Sequence, residues 1–179
     1  MEFKNVAAIV TGGASGLGEG SARALAAAGC RVAILDVQEE QGRKVAEDIG
    51  GVFIYCGVTS SESAEAAFSE ARKAHGPCGV AVSCAGIAPA AKILGRDGVM
   101  PLEAFSKVVQ VNLIGSFNIL RLAAADMAQR EPNHTSLRCL TPHTLSSQQR
   151  QRSDEEGEGG GAQEHMMPLA LPLSTPAWN

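Results

Sequence analysis

The stretch VAAIVTGGASGLGEG, Val6 to Gly20, sets a short apolar run directly against a cluster of glycines and the start of an alanine-rich segment. Val6–Val10 carries no polar residue, as expected of a strand buried on both faces of a parallel sheet. Glycine stands at 12, 16 and 18, where the chain must turn sharply and where a Cβ would hold a phosphate away from the backbone. The alanine-rich text from Gly16 to Ala28, stopped by Gly29, reads as a helix whose amino end directs free N–H groups at that same point. Glycine spacing of this kind is weak by itself, because glycine turns are common. Here a strand precedes it and a helix follows. RVAILD (Arg31–Asp36) then reads as a second strand ending in an acid, 18 residues beyond Gly18. A carboxylate there accepts hydrogen bonds from adenosine ribose hydroxyls and repels a 2′-phosphate, which favours NAD over NADP.

Working outward, strand-like and helix-like text keeps alternating. Val45 and Ile49 fit the inward face of a helix ending at Gly50 and Gly51, and GVFIYCGV (Gly51–Val58) is a third strand. Thr59 and Glu62 have capping-box spacing for a helix that repeats Ala64, Ala67, Phe68 and Ala71 on one face. GVAVSCAG (Gly79–Gly86) is a fourth strand, and a long helix runs from Leu102 to Arg130 before Glu131-Pro132 ends it. The expectation is an α/β fold, a Rossmann-like doubly wound parallel sheet of about four strands. After Pro132 this grammar stops: the last valine is Val111, the last phenylalanine Phe117 and the last isoleucine Ile119. No fifth strand can be written from what remains, so residues 1–133 are expected to be the nucleotide-binding domain. Residues 134–179 are expected to be a disordered or non-homologous tail, entered through a change of reading frame or exon just after Asn133.

The net charge of −4 leaves no basic surplus for nucleic acid. MEFKNVAAIV lacks the basic and long apolar regions of a signal peptide, and no run is read as long enough to span a membrane. Five cysteines without C-x-x-C spacing are expected to be reduced thiols of a cytosolic or organellar protein, with the cytoplasm as the expected location. His134, Cys139, His143 and His165 do not make a metal site, because Pro142 interrupts any helix presenting them.

Together these motifs resemble the short-chain dehydrogenase/reductase family. TGGASGLG resembles its T-G-x-x-x-G-x-G loop, SCAG (Ser83–Gly86) the element ending its fourth strand, and QVNLIGSFNILRLAAADM the helix carrying a family asparagine, here Asn112. The likeness is strongest to the branch acting on 3-hydroxyacyl-CoA and hydroxysteroid alcohols, and it covers residues 3 to about 133. The resemblance implies NAD held by Thr11, Gly12, Ser15, Gly16, Leu17, Gly18, Asp36, Val58, Cys84, Ala85 and Gly86. It also implies a small alcohol or ketone substrate, an Asn112 that bends its helix and holds a proton-relay water, and a mitochondrial location as the alternative to the cytoplasm. Family chemistry needs a serine and a Tyr-x-x-x-Lys pair. The only tyrosine is Tyr55, residue 59 is threonine, and no lysine follows Lys107. Gly57 and Ser83 replace a family aspartate and asparagine.

The resulting expectation is a dehydrogenase by kinship that is impaired or inactive, with Asn112 vestigial and NAD binding retained. The bare fourth strand predicts marginal stability and the alternative reading, a non-catalytic protein pairing with itself or a full-length relative. An enzyme using Asn112, Cys84 or the tail histidines instead is the third reading.

Overall fold

The computed structural model describes residues 3–96 and 98–130. Four strands, β1 (Ala7–Thr11), β2 (Arg31–Asp36), β3 (Val52–Tyr55) and β4 (Val80–Ser83), form one parallel sheet in the order β3-β2-β1-β4. Helices α1 (Gly16–Ala27), α2 (Glu39–Asp48) and α3 (Ser61–His75) are the crossovers between them. This is the expected doubly wound architecture. β2 has its expected bounds and β1 lies one residue later than expected, whereas β3 and β4 each end three residues inside theirs, because pairing stops where the turns begin.

Side chains along β1 and β2 alternate between two cores, as the two-residue period of a strand requires. Ala8, Val10, Val32 and Ile34 meet Ala22 of α1 and Val45 of α2 on one face. Ile9, Ala33, Leu35 and Ile54 meet Ala64, Ala67, Phe68 and Ala71 of α3 on the other. The α3 cap lies one residue later than expected. Ser60, not Thr59, is the N-cap, and its Oγ accepts from Ser63 N at 3.1 Å.

The connection after β4 contains a small antiparallel pair, β5 (Leu94–Gly95) and β6 (Gly98–Val99), that the sequence reading treats as plain loop. The long helix then follows as α4 (Leu102–Val109), a π-helical segment (Gln110–Gly115) and α5 (Ser116–Ala128). By length and composition this 27-residue helix could cross a membrane, with a mean hydropathy of 1.4 in its most apolar window. That corrects the expectation that no run is long enough. Its inner face, however, is fastened to the domain by polar groups. Asn118 Nδ2 donates to Val58 O at 2.9 Å, and Arg121 pairs with Glu65 of α3. Asp126, 1% exposed, pairs with Arg72 of α3 and accepts from Cys78 N at 3.1 Å. The outer face leaves Phe105, Leu113 and Phe117 exposed. The expected tail, with His134, Cys139, His143 and His165, lies outside the described residues.

Removing Asp126 strands a buried N–H and frees Arg72. Asp126→Ala should therefore cost about 3 kcal/mol, read as a lower urea midpoint, whereas Arg43→Ala on the surface should cost under about 0.5 kcal/mol. Equal midpoints would contradict this role. Burial pushes the Cys56 thiol up to about 11 and the Cys78 thiol up to about 12, from an ordinary 9.0. The folded state thus holds these protons more tightly than the unfolded chain. The stability they contribute is complete below pH 9.0 and lost as pH rises towards 11 and 12. Cys78→Ala should flatten the alkaline fall of the urea midpoint, and an unchanged slope would contradict it.

Candidate nucleotide-binding site

The carboxyl ends of β1, β2, β3 and β4 open into a crevice of 490 Å³. Its floor is the turn from β1 into α1, and the turn's shape follows from two glycines. Gly18 lies so close to the preceding turn that a Cβ there would fall on the Gly12 carbonyl, so only glycine lets α1 begin this near β1. Gly16 has φ +54°, a left-handed backbone, and a Cβ there would meet nothing within 4 Å. The space over Gly16 is therefore open towards the crevice. Ser15, the N-cap, makes no side-chain capping bond, which leaves the first N–H groups of α1 without a side-chain acceptor. An open backbone, free N–H groups and a helix dipole together suit a phosphate.

Asp36 closes the next side. It is buried, its Oδ2 accepts from Ala14 N at 3.0 Å and its Oδ1 from Gln38 N at 3.0 Å. These bonds hold the carboxylate in one orientation, and each oxygen keeps a lone pair for a hydroxyl. The far wall is Cys84, Ala85 and Gly86 after β4.

Of the residues expected to hold NAD, all but Thr11 line this crevice. Thr11 is fully buried and lies beneath it. Its Oγ1 accepts from Ala85 N at 3.3 Å and its carbonyl accepts from Cys84 N at 3.1 Å, so it ties the β4 wall to β1. Asn112 is not part of the lining either. Its Oδ1 accepts from Ile87 N at 2.8 Å and its Nδ2 donates to Ile87 O at 2.9 Å. Both ends of the amide are engaged directly by backbone, so Asn112 pins the turn after β4 to the π segment. Ser116 Oγ, donating to Asn112 O at 2.7 Å, competes with the helical ladder there.

Sequence reasoning missed Val37, Cys56, Thr59, Ile87 and Val111 as lining residues. Val37 could have been found, since it directly follows β2 at its crevice end, and Thr59 lies in the turn between β3 and α3. Val111 could not, because its place depends on the π segment. Cys56, raised by burial and then by the charge of Asp36, is a neutral thiol near pH 7 and offers no nucleophile. The crevice can therefore hold an anion at one end and a diol beside it, but these residues supply no strong acid or base besides Asp36, whose oxygens are held by amides.

Comparison with known proteins agrees with this geometry. The family model described as short chain dehydrogenase matches residues 6–134. The 3-hydroxyacyl-CoA dehydrogenase type-2 of Rattus norvegicus is 41% identical over 147 residues, which cover 80% of this chain and 56% of the rat protein. Its Drosophila melanogaster namesake is 37% identical, with 80% and 58% covered. A crystal structure of 3-hydroxyacyl-CoA dehydrogenase type-2 from Mycobacterium avium superposes with a TM-score of 0.67 at 38% identity, covering 74% of this chain and 52% of that one. The chain thus spans a little over half the length of these relatives. Strand order, glycine turn and the match across most of the described residues place the chain in one family: it is a short-chain dehydrogenase by descent.

Proposed function

We propose that this chain binds NAD(H) in the crevice above β1, β2 and β3, and that these 179 residues do not by themselves transfer hydride. The kinship suggests 3-hydroxyacyl-CoA or hydroxysteroid-type alcohols and ketones as the substrates of the ancestral activity. The observation that carries the reading is the open, uncapped amino end of α1 beside a fixed Asp36.

The residues present fit the group. The N–H groups of Gly16, Leu17 and Gly18 suit the pyrophosphate, and Asp36 suits the ribose diol while repelling a 2′-phosphate. When bound, the nicotinamide ring would supply hydride donation or acceptance. The proton side of such a reaction has no carrier in this sequence. A tyrosine and lysine four apart would share a helix face, yet the single tyrosine lies on β3 with Thr59 in the lysine's place. Asn112, already bonded to Ile87, does not substitute for them. The free thiols of Cys30, Cys56, Cys78 and Cys84 favour a reducing compartment, which both the cytoplasm and the mitochondrial matrix provide.

A second reading, a non-catalytic protein pairing with a full-length relative, is favoured by one observation. Among the described residues β4 pairs only with β1, and exposed Phe105, Leu113 and Phe117 stand on the long helix. A mixed species in light scattering with a full-length type-2 dehydrogenase would support it, and unchanged masses would dismiss it.

In titration calorimetry on the full chain, NAD should bind at least about tenfold more tightly than NADP. Gly16→Ala has room for its methyl group but must hold a left-handed backbone at a cost of about 1 kcal/mol, so circular dichroism checks that it folds, and NAD affinity of the folded variant should fall about tenfold or more. Equal affinities for the two dinucleotides, or unchanged NAD binding by Gly16→Ala, would overturn the assignment. With acetoacetyl-CoA the chain should not consume NADH, and steady turnover would refute the inactive half of the proposal.

A further inference from the structure

We propose that the base-binding end of the crevice does not distinguish adenine from a 6-oxopurine, and that Gly57 sets this tolerance. The inference rests on the dinucleotide reading above and deepens it. In the order β3-β2-β1-β4, the glycine turn lies above β1 and Asp36 ends β2. A base attached to a ribose at Asp36, on the side away from the phosphates, therefore lies over the ends of β2 and β3. The lining there is Val37, Gln38, Gly57, Val58 and Thr59, with Val111 of the π segment.

These residues divide by what they can offer a base. Val37 and Val111 offer apolar surface. The backbone of Gly57 and Val58 is mostly spent within the protein. Gly57 N donates to Ser63 Oγ at 2.9 Å, Gly57 O accepts from Ser60 N at 3.0 Å, and Val58 O accepts from Asn118 Nδ2 at 2.9 Å. The Val58 side chain is buried against Gly115. Among the described residues, Val58 N–H makes no hydrogen bond and is the donor left over. It can serve an acceptor on either base, the ring nitrogen of adenine or the 6-oxygen of hypoxanthine.

The side chains left to read the 6-position are Gln38 and Thr59, both exposed and both neutral. An amide carries both an acceptor and donors, and a hydroxyl can accept or donate by rotating. Either can therefore satisfy an amine or a carbonyl equally well. A carboxylate could not, since it only accepts and would favour the amine. At Gly57 there is room for one: a Cβ would meet only Ser63 Oγ, at 3.9 Å, and the backbone there is not left-handed. The position is open, and its side chain is absent.

The test is titration calorimetry of the full chain with NAD and with nicotinamide hypoxanthine dinucleotide, in which the 6-amine is replaced by oxygen. Wild-type affinities should agree within about threefold, and Gly57→Asp should bind NAD about tenfold or more tightly than the hypoxanthine analogue. If the wild type already prefers NAD about tenfold, the inference fails while dinucleotide binding stands. If neither compound binds, both fail together. If the wild type is tolerant and a folded Gly57→Asp is equally so, the assignment to Gly57 is overturned. The wild-type comparison decides the tolerance even if the variant does not fold.

Discussion

The approach of α1 to the turn before it governs everything the crevice contains. Gly18 packs against the Gly12 carbonyl with no room for a Cβ, so the helix starts immediately above the end of β1. Any larger residue would force the first turn outward and separate its N–H groups from the strand ends. With the contact in place, those groups, the Asp36 carboxylate and the wall from Cys84 to Gly86 surround one volume. The sheet supplies the rest of the rigidity. The β1 residues are buried on both faces, and Thr11 links the β1 end to the β4 wall by two hydrogen bonds.

Two buried carboxylates divide the remaining work. Asp36 accepts from two backbone amides, which fix its carboxyl group at the crevice rim. A negative group held this way can discriminate between a diol and a phosphate. Asp126 is instead consumed by Arg72 and Cys78 N, and it joins α5 to α3 and to the approach of β4. It has no share in the crevice. The contrast separates residues that could meet a ligand from those that only position the helix whose π segment contributes Val111.

Much of the fold could be read from the chain because its signals are local. The step from apolar run to glycines to alanine-rich helix lies within Val6–Ala28, and Asp36 sits at the end of an unmistakable strand. Alternation of buried residues on β1 and β2 follows from the same text. What was not legible depends on contacts distant in sequence or on small energy differences. The shift of the α3 cap from Thr59 to Ser60 separates two neighbouring hydroxyl residues of similar capping strength. The π segment reflects a choice between Asn112 bonding to Ile87 and an unbroken α-helical ladder, and no spacing rule records it. The β5–β6 pair is two residues per strand, too short for any periodicity. Thr11 belongs to the glycine-loop motif, but the motif does not record that its side chain is buried with its hydroxyl turned towards the end of β4.

The described sheet ends at β4, and the kin of this chain are nearly twice its matched length. What it shares with them is the half that carries the glycine turn and the crevice, and the proposal is that this half binds a dinucleotide. Hydrogen–deuterium exchange of the full chain with and without NAD addresses it residue by residue. The account predicts slower exchange at Leu17 and Gly18, at Val37 and Gln38, and at Val58, with little change in α2. Unchanged exchange throughout, or protection confined to segments away from the strand ends, would contradict it.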